Sequence, residues 1–322
     1  MRIFVTGATG FIGSAIVSEL INAGHQVLGL ARSDRGAASL GAVGADVLRG
    51  SLEDLDSLRN GAANSDGVIH TAFIHDFLNY AAAAEADRRA IETLGTALAG
   101  SGRPFVVTSG TLLLRRESTL ATEKDEADPN FPCKSEEVGL ALASHGVRVS
   151  VVRLPPSVHG DGDHGFVPRL FAIAREKGIS AYVGDGLNHW PAVHRLDAAR
   201  LYSLALEKGS AGSRYHGVAD QGVPFGDIAQ VIGRRLNVPI VSKSPEESAD
   251  HFGWISHFVS IDCPASSAQT QKQLGWRPRI LRLSATSTGR PISKPLPRWC
   301  LRQGADEHGK PTETNRSRHG GE

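Results

Sequence analysis

The 322-residue sequence contains only three cysteines, and their positions exclude the common cysteine-based sites. Cys133, Cys263 and Cys300 lie far apart and include no C-x-x-C pair. They therefore fit neither a disulfide framework nor a structural zinc site. This cysteine usage is typical of a reducing compartment, and we expect a cytoplasmic protein without a metal centre.

An excess of charge and long apolar runs are also missing. The formal net charge is +1, so there is no basic excess to attract nucleic acid or an anionic membrane surface. The first residues, MRIFVTGATGFIG, pass from a short apolar run directly into glycines, which predicts neither a signal peptide nor a membrane span. We expect a small-molecule substrate, no nucleic-acid or membrane partner, and a chain that could form a homodimer.

Short apolar runs alternate with longer amphipathic ones through the first half of the chain, which predicts an open α/β fold: a Rossmann-type doubly wound parallel sheet. The predicted strands lie near residues 2–5, 26–30, 46–48, 67–70, 104–107 and 148–153. Later helices are predicted near 167–177, 198–208, 225–236 and 266–274. We assign residues 1–157 to the Rossmann domain, with later contributions near 190–222, and residues 158–189 and 223–278 to a smaller substrate region.

The segment 279–322 differs from the rest in composition. It is rich in Pro, Gly, Ser, Thr and scattered basic residues, and it has no sustained periodicity. We predict a disordered tail, with a basic interaction arm as the alternative. One hypothesis is that a frameshift replaced the native end after about Arg279.

The segment TGATGFIG, Thr6 to Gly13, stands between a predicted strand and a predicted helix. This context is what a dinucleotide-binding glycine motif requires. Gly7 would allow the tight turn, Gly10 would let the backbone approach a diphosphate, and Gly13 would allow close packing of the helix on the strand. The helix N-terminus would then supply partial positive charge to the phosphates.

The end of the second strand bears on the choice of cofactor. An acidic residue there binds the adenosine ribose of NAD, whereas an arginine accommodates the 2′-phosphate of NADP. The strand ends at Arg32 and Ser33, which predicts NADP, with Arg32 pairing the phosphate and Ser33 donating a hydrogen bond. Asp34 leaves NAD open, since a slightly longer strand would place its carboxylate at the ribose.

Together TGATGFIG, DGVIHTA, PFVVTSG, RLPPSVHG and PAVHRLDAARLY resemble the extended short-chain dehydrogenase/reductase superfamily, whose members are often labelled NAD-dependent epimerase/dehydratase. The resemblance covers residues 1–278. It implies an NAD(P)-dependent enzyme with a small C-terminal domain that closes over a carbonyl or hydroxyl substrate. The implied cofactor-binding residues are Gly7, Thr9, Gly10, Phe11, Ile12, Gly13, Arg32, Ser33, Leu52, Thr71, Ala72, Phe73, Thr108, Pro155, Pro156, Ser157 and Val158.

The same resemblance implies a catalytic Tyr-x-x-x-Lys pair on the helix after PFVVTSG. Matching the SE of FPCKSEEVGLALA to the family's Ser-Lys places Pro132 and Glu136 at those two positions, and Lys134 points about 200° away from the lysine direction. Glu136 could accept hydrogen bonds from the ribose, or it could be a solvated surface residue. No displaced copy of the pair exists, because none of the four tyrosines, Tyr80, Tyr182, Tyr202 and Tyr215, is followed four residues later by lysine.

Hydride transfer to a carbonyl still requires a proton source. The catalytic candidates are Ser109 and Thr111, after the fifth strand, and His159, whose ordinary pKa suits acid–base work near neutral pH. A histidine satisfied by the backbone is the alternative for His159. The sequence thus favours an atypical oxidoreductase, and a catalytically inactive NADP(H)-binding redox sensor is the competing interpretation.

Two further histidine motifs have structural interpretations. In HFGWISHF, we expect His251 and His257 to accompany core residues Trp254 and Phe258 of the smaller region. In PAVHRLDAARLY, we expect His194 and Asp197 to cap a helix. The loop GDGDHG, residues 160–165, lacks the third carboxylate and the terminal glutamate of an EF-hand calcium loop.

Overall fold

The computed structural model describes residues 1–76, 79–115 and 119–280. The strands are β1 (Arg2–Thr6), β2 (Gln26–Ala31), β3 (Asp46–Arg49), β4 (Gly67–His70), β5 (Pro104–Gly110), β6 (Arg148–Leu154), β7 (Ser157–His159), β8 (Ser180–Val183), β9 (His189–His194), β10 (Ser213–His216), β11 (Asp220–Pro224) and β12 (Ile240–Lys243). The helices are α1 (Phe11–Asn22), α2 (Asp34–Ala42), α3 (Leu55–Ala63), α4 (Tyr80–Leu98), α5 (Ser135–Ala141), α6 (Phe166–Lys177), α7 (Arg195–Lys208), α8 (Phe225–Leu236), α9 (Pro245–Phe252), α10 (Ser256–Val259) and α11 (Ala268–Leu274).

The predicted α/β class is confirmed, and each of the six predicted strands coincides with an observed one, with ends that differ by no more than three residues. In the large sheet the strand order is β10-β6-β5-β4-β1-β2-β3, and every pairing in it is parallel. The central strands are buried on both faces, which is why they appear in the sequence as continuous apolar runs.

The direction of the strand order reverses between β1 and β4. The chain proceeds from β1 to β2 and β3 on one side, and from β4 to β5 and β6 on the other. In open α/β sheets the carboxyl ends of the strands at such a switch point form a ligand-binding crevice. The residues after β1, β4 and β5 are therefore the ones that define the candidate site.

Two hydrophobic clusters cover the two faces of the large sheet. One joins α1 and α7 to the sheet, and the other joins α3 and α4 to it. Strand β10 forms the edge beside β6, so the segment near 190–222 contributes both α7 and β10 to the sheet domain.

A smaller unit follows β6. It contains the parallel pair β8 and β12, the antiparallel pair β9 and β11, and the helices α6, α8 and α9 around a separate core. Trp190, Phe225 and Ile255 are fully buried there. Leu112, just after β5, packs against the same core, so this unit lies directly over the end of β5.

The predicted tail lies outside the described residues except for its first two positions. The backbone N–H groups of Arg279 and Ile280 donate to the Asp197 carboxylate. The fully buried Trp276 donates its indole N–H to the backbone oxygen of Asp197. These bonds hold the last described residues against the start of α7.

Candidate active site

The glycine turn after β1 has the geometry that the sequence predicts. Gly7 adopts a positive φ of 69°, and a Cβ there would lie 2.7 Å from the backbone nitrogen of Ala72. A Cβ on Gly13 would lie 2.0 Å from the backbone oxygen of Gly7. Gly7 therefore allows the turn to pass close to the segment after β4, and Gly13 allows α1 to pack against the turn.

Helix α1 begins at this turn with an uncapped N-terminus. Its N-cap residue is Gly10, so no side chain accepts a hydrogen bond from the N–H groups of the first turn. The first-turn residues Phe11 and Ile12 are only half buried. Free N–H groups and the helix dipole make such an end an anion-binding site, so the observed turn can hold a diphosphate.

The end of β2 presents an exposed arginine beside the turn. Arg32 is exposed and forms no ion pair with any residue in the described ranges. Ser33 caps α2, accepting a hydrogen bond of 3.2 Å from the Gly36 nitrogen. Asp34 is already in α2, and its exposed carboxylate accepts a 2.7 Å hydrogen bond from Arg49. Among the described residues, the cationic side chain at the strand end thus has no anionic partner, while the acidic one has a cationic partner.

The segment after β4 is hydrogen-bonded to the end of β1. The Thr71 hydroxyl donates to the backbone oxygen of Thr6 at 2.8 Å, and the backbone N–H of Ala72 donates to the Thr6 hydroxyl at 3.4 Å. The ring of Phe73 lies 5.5 Å from that of His75 and 5.9 Å from that of Tyr80, between centroids. Among the other residues implied by the resemblance, Leu52 is buried in the core beneath the sheet and Thr9 is exposed at the turn.

The end of β5 holds three of the predicted residues in different settings. The Thr108 hydroxyl donates to the backbone oxygen of His70 at 2.6 Å and lies 2.8 Å from the Tyr202 hydroxyl, so it links β4 to α7. Ser109 is half buried in the ladder with β6. The Thr111 side chain is 1% exposed, and its hydroxyl has no hydrogen-bond partner in the described chain.

A second buried hydroxyl without a partner follows the adjacent strand β6. Ser157 is 2% exposed, and its hydroxyl forms no hydrogen bond within the described residues. Pro155 and Pro156 connect it to β6, and Val158 packs against the core of the sheet domain. Buried polar groups are normally hydrogen-bonded, so the hydroxyls of Ser157 and Thr111 at the ends of two neighbouring strands are sites at which a ligand could bind.

His159 lies at the end of β7 with its ring against His194, at 5.4 Å between centroids. Its Nε2 atom is buried, with no partner among the residues described. Burial, and next the proximity of His194, lower the pKa of His159 to about 4. The imidazole is therefore neutral at pH 7, where it can accept a proton or a hydrogen bond but is a poor proton donor.

The loop at residues 160–165 covers the start of α1. The His164 ring lies edge-on to Phe11 at 5.9 Å, and the Arg195 guanidinium lies 5.3 Å from the centroid of the same ring. Asp163 accepts a 2.7 Å hydrogen bond from the Gly165 nitrogen, and burial raises the pKa of its carboxyl to about 6. No cluster of three or more potential metal ligands occurs within the described ranges.

Both expectations for Glu136 are wrong. Its side chain is 4% exposed and therefore not solvated, and its Oε2 atom accepts a 2.7 Å hydrogen bond from Nε of the fully buried Arg153. Its Oε1 atom accepts from Arg153 and from Nε of Arg214, the latter at 2.7 Å. Both carboxylate oxygens are paired with the guanidinium groups of Arg153 and Arg214, and these ion pairs join α5 to β6 and β10. The carboxylate is therefore not directed at a ribose.

The structural interpretations of the two histidine motifs, PAVHRLDAARLY and HFGWISHF, are each only partly correct. The His194 ring does cap α7, accepting a hydrogen bond of 3.2 Å from the Leu196 nitrogen. Asp197 is not a cap, since it holds the chain after Trp276.

In the smaller unit Phe258 packs against the core as expected, but Trp254 is 43% exposed. Its ring lies at the rim of that core, against Phe166.

Sequence reasoning missed a chain of buried polar groups beside the glycine turn. The Thr6 hydroxyl lies 2.8 Å from His70 Nδ1, His70 Nε2 lies 3.0 Å from an Asp87 oxygen, and the Ser135 hydroxyl donates to the other Asp87 oxygen. Each of these four residues is 4% exposed or less. Hydrogen-bonded neighbours among them are separated by up to 64 positions in the chain, and the four residues match no motif, so only the folded arrangement identifies them.

Within the described ranges, no helix combines the length and the apolarity that a membrane crossing requires.

Comparison with known proteins extends these observations. The chain is 55% identical over 280 residues to the uncharacterized protein C2A9.02 of Schizosaccharomyces pombe, covering 86% of this chain and 95% of that one. It is 28% identical over 261 residues to the 2-alkyl-3-oxoalkanoate reductase of Stenotrophomonas maltophilia, covering 76% of this chain and 78% of the reductase.

Solved structures show the same fold. The dTDP-glucose 4,6-dehydratase DesIV of Streptomyces venezuelae, solved with NAD and TYD bound, superimposes with a TM-score of 0.73 at 20% identity, covering 89% of this chain and 95% of that one. The sequence model of the NAD dependent epimerase/dehydratase family matches residues 3–218, the part of the chain that contains the glycine turn, the switch point and the polar residues after β5. The protein therefore belongs to the NAD dependent epimerase/dehydratase family.

Proposed function

We propose that the protein is an NADP-dependent oxidoreductase that interconverts a small carbonyl compound and the corresponding alcohol. The observation that carries the proposal is the glycine turn, where an uncapped helix N-terminus faces the crevice between β1 and β4. A nicotinamide dinucleotide would supply or accept the hydride when bound there. The family and the reductase among the relatives support redox chemistry at this place.

The preference for NADP depends on Arg32. An exposed guanidinium at the end of β2, without an anionic partner in the described part of the chain, suits a 2′-phosphate, whereas the carboxylate of Asp34 is paired with Arg49. The DesIV structure contains NAD, so NAD stays the alternative cofactor for this fold.

The buried hydroxyls of Thr111 and Ser157 would orient the substrate. Both lack partners among the described residues; Thr111 follows β5, which pairs with β4, and Ser157 follows the neighbouring strand β6. A carbonyl or hydroxyl oxygen can satisfy such groups, and an analogue without that oxygen would leave them unpaired at a cost of about 1–3 kcal/mol. The relative that acts on a 2-alkyl-3-oxoalkanoate makes 3-oxo acids reasonable first substrates to test.

The redox sensor is the second candidate. It is favoured by Pro132 and Glu136 at the positions expected for the catalytic pair, and by the buried ion pairs that remove Glu136 from the crevice. An enzyme transfers hydride to some substrate, whereas a sensor binds the oxidised and reduced dinucleotides differently without turnover.

Calorimetric titration of the wild type with NADPH, NADH, NADP and NAD tests the cofactor assignment. We expect Arg32→Ala to weaken NADPH binding by about tenfold or more while leaving NADH binding unchanged, because one charge-assisted contact is lost. Arg235→Ala, which removes an exposed arginine from α8, is the matched control. Equal affinity of the wild type for NADPH and NADH would refute the NADP assignment, and no binding of any dinucleotide would refute the function.

Turnover is measured next as loss of reduced nicotinamide absorbance with a panel of 3-oxo acids, aldehydes and ketones. Transfer to any member of the panel supports the oxidoreductase. Binding without transfer to any of them favours the sensor.

A further inference from the structure

The three-stranded sheet, with the order β11-β9-β7, has two faces with different neighbours. Val158 and Val193 are paired in register, and both pack against the core of the sheet domain. Because successive side chains of a strand point to opposite faces, Ser157 and Trp190 belong to the other face. Trp190 is part of the core of the smaller unit. This second face is therefore turned towards the smaller unit.

Three buried polar atoms on the second face have no hydrogen-bond partner among the described residues. They are the hydroxyl oxygen of Ser157, Nε2 of His159 and Nε1 of Trp190. Ser157 is 2% exposed and Trp190 is fully buried. Since buried polar groups are nearly always hydrogen-bonded, three such atoms on one face of one small sheet indicate a place where a ligand binds.

The strand geometry places these three groups in one strip. Ser157 is in register with Ala192. His159 is in register with His194, and their ring centroids lie 5.4 Å apart. Trp190 comes two residues before Ala192 on the same strand, so the strand spacings put its Cβ roughly 8 Å from that of Ser157. Ala192 has only a methyl side chain, so the face is recessed there. We call this strip the polar recess; it is formed by Ser157, His159, Trp190, Ala192 and His194.

The three strands contribute no cationic side chain to the polar recess, since none of their residues is a lysine or an arginine. Arg195 follows β9 directly, but its guanidinium lies 5.3 Å from the centroid of the Phe11 ring, over the start of α1. Asp220, which is 5% exposed, is in register with Ala192 from the other side. A phosphate or carboxylate in the recess would therefore lose its water without meeting a positive charge from these strands.

The two histidines of the polar recess do not supply that charge either. Burial is the main cause that lowers the pKa of His159, to about 4, and it also lowers the pKa of His194. Both rings are therefore neutral at pH 7. A hydroxyl, an indole N–H and a neutral imidazole together offer both hydrogen-bond donors and acceptors. An uncharged ester, amide or hydroxyl group suits such a set, whereas a carboxylate or phosphate needs donors and a counter-charge.

We propose that the polar recess binds an uncharged polar group of the substrate, and that Ser157 and Trp190 thereby select neutral carbonyl compounds over carboxylates and phosphates. This inference rests on the proposed oxidoreductase function and names its substrate class. Ser157 also borders the crevice, because Pro155 and Pro156 alone separate it from the end of β6. A substrate whose reacting carbonyl lies in the crevice can thus place a second oxygen in the recess.

The first test compares substrates that differ in charge. Hydride transfer from NADPH is measured at pH 7 with ethyl 3-oxobutanoate, 3-oxobutanamide and 3-oxobutanoate. We expect kcat/KM for the ester and the amide to exceed that for the acid at least about tenfold, because an unpaired anion is costly to bury. Hydride transfer with equal values, or with a higher value for the acid, overturns the inference and leaves the oxidoreductase function standing.

Ser157→Ala tests the recess itself. Because the Ser157 hydroxyl has no partner in the described chain, we expect the variant to keep or raise the urea midpoint of the unliganded protein. KM for ethyl 3-oxobutanoate should rise at least about fivefold, with kcat changed by less than about twofold. A wild-type KM, the result for a recess that holds only water, overturns the inference.

Ser180→Ala is the matched control for that variant. Ser180 is also 2% exposed, but its hydroxyl donates to the backbone oxygen of Ala229 at 2.8 Å. Loss of this bond should lower the urea midpoint and leave KM for the ester unchanged. The two serine variants thus separate a hydroxyl that binds substrate from one that holds the fold.

Trp190→Phe removes the indole N–H and keeps an aromatic ring beside Phe166 and Phe225. We expect KM for the ester to rise about fivefold and the preference for the ester over the acid to fall. Trp254→Phe is the control, since Trp254 is 43% exposed, and it should keep both values. A Trp190→Phe protein with wild-type KM and wild-type preference refutes the role of Trp190.

Binding measured without turnover separates the failure of this inference from the failure of the proposed function. Calorimetry compares 3-oxobutanamide with 3-oxobutanoate in protein saturated with NADP, which cannot reduce them. We expect the amide to bind at least about tenfold more tightly. That result without hydride transfer from NADPH to any compound refutes the oxidoreductase function, while the recess stands as a site for neutral ligands. Equal binding, or binding of neither compound, refutes the recess, whatever the turnover.

Discussion

At the scale of single residues, the neighbours of Glu136 determine its role. The sequence places it beside Glu137 near the start of a short helix, and both are acidic residues of the first turn of α5. Glu136 is buried against Arg153 and Arg214, whereas Glu137 is exposed. Two identical side chains, adjacent in sequence, thus have opposite environments because successive helical positions point about 100° apart.

We predict that Glu136→Gln lowers the free energy of unfolding by about 3–5 kcal/mol, because it leaves two guanidinium groups without their carboxylate partner. Urea denaturation measures the change. The control Glu137→Gln should change stability by less than about 0.5 kcal/mol, because it removes an exposed charge. Similar stabilities of the two variants would contradict the prediction.

The same residue has a defined pH dependence. Burial alone would raise the pKa of Glu136, but the hydrogen bonds and charges of Arg153 and Arg214 outweigh it, so the pKa lies below its ordinary value of 4.5. A carboxyl whose folded pKa is lowered stabilises the fold above the unfolded pKa, and this stability is lost as the pH falls through the folded pKa. The stability difference between wild type and Glu136→Gln should therefore shrink below about pH 4.5.

At the scale of elements, the packing of α1 on the glycine turn positions the candidate cofactor site. Gly13 lies in the first turn of α1, and the space for its missing side chain is filled by the backbone oxygen of Gly7, at 2.0 Å from the ideal Cβ position. Because that atom belongs to the backbone of the turn, a side chain at position 13 would have to displace the turn or the helix.

We predict that Gly13→Ala lowers the free energy of unfolding by about 1–3 kcal/mol and abolishes NADPH binding, because the helix N-terminus shifts away from the turn. Gly41→Ala is the matched control, since Gly41 lies in α2 with no atom within 4 Å of its Cβ position. That variant should stabilise the protein by up to about 1 kcal/mol through helix propensity. Normal NADPH affinity in Gly13→Ala, measured by calorimetry, would contradict the proposed site.

At the scale of the whole molecule, buried histidines make the fold sensitive to mild acid. His216 is fully buried on β10, where its ring lies between Arg153 and the backbone oxygen of Ser266. Burial, and next the Arg153 charge, lower its pKa to about 4. His159, on a different sheet, is lowered to a similar value.

We predict that the free energy of unfolding falls as the pH is lowered from 6.5 towards 4. Both histidines take up protons in the unfolded chain at their ordinary pKa of 6.5 but stay neutral in the folded one down to about 4. The loss is at most about 1.4 kcal/mol per pH unit for each histidine. Urea denaturation at several pH values measures the slope, which His216→Gln should reduce. A stability that is flat between pH 5 and 6.5 would contradict the assignment.

The local pattern of the sequence determined the large sheet and the glycine turn. The apolar runs predicted the strands to within three residues, because parallel strands buried on both faces must be continuously apolar. The spacing of Gly7, Gly10 and Gly13 between a strand and a helix predicted the turn, since its geometry depends on residues that are neighbours in the chain.

Only the tertiary structure decided which polar side chains meet. Nothing in the sequence links Asp87 to Ser135, or Glu136 to Arg214, because these partners come from different elements. The spacing of nearby residues, which determines a strand or a turn, can be read from the sequence. The environment of a buried polar group cannot, because it depends on every element packed around that group.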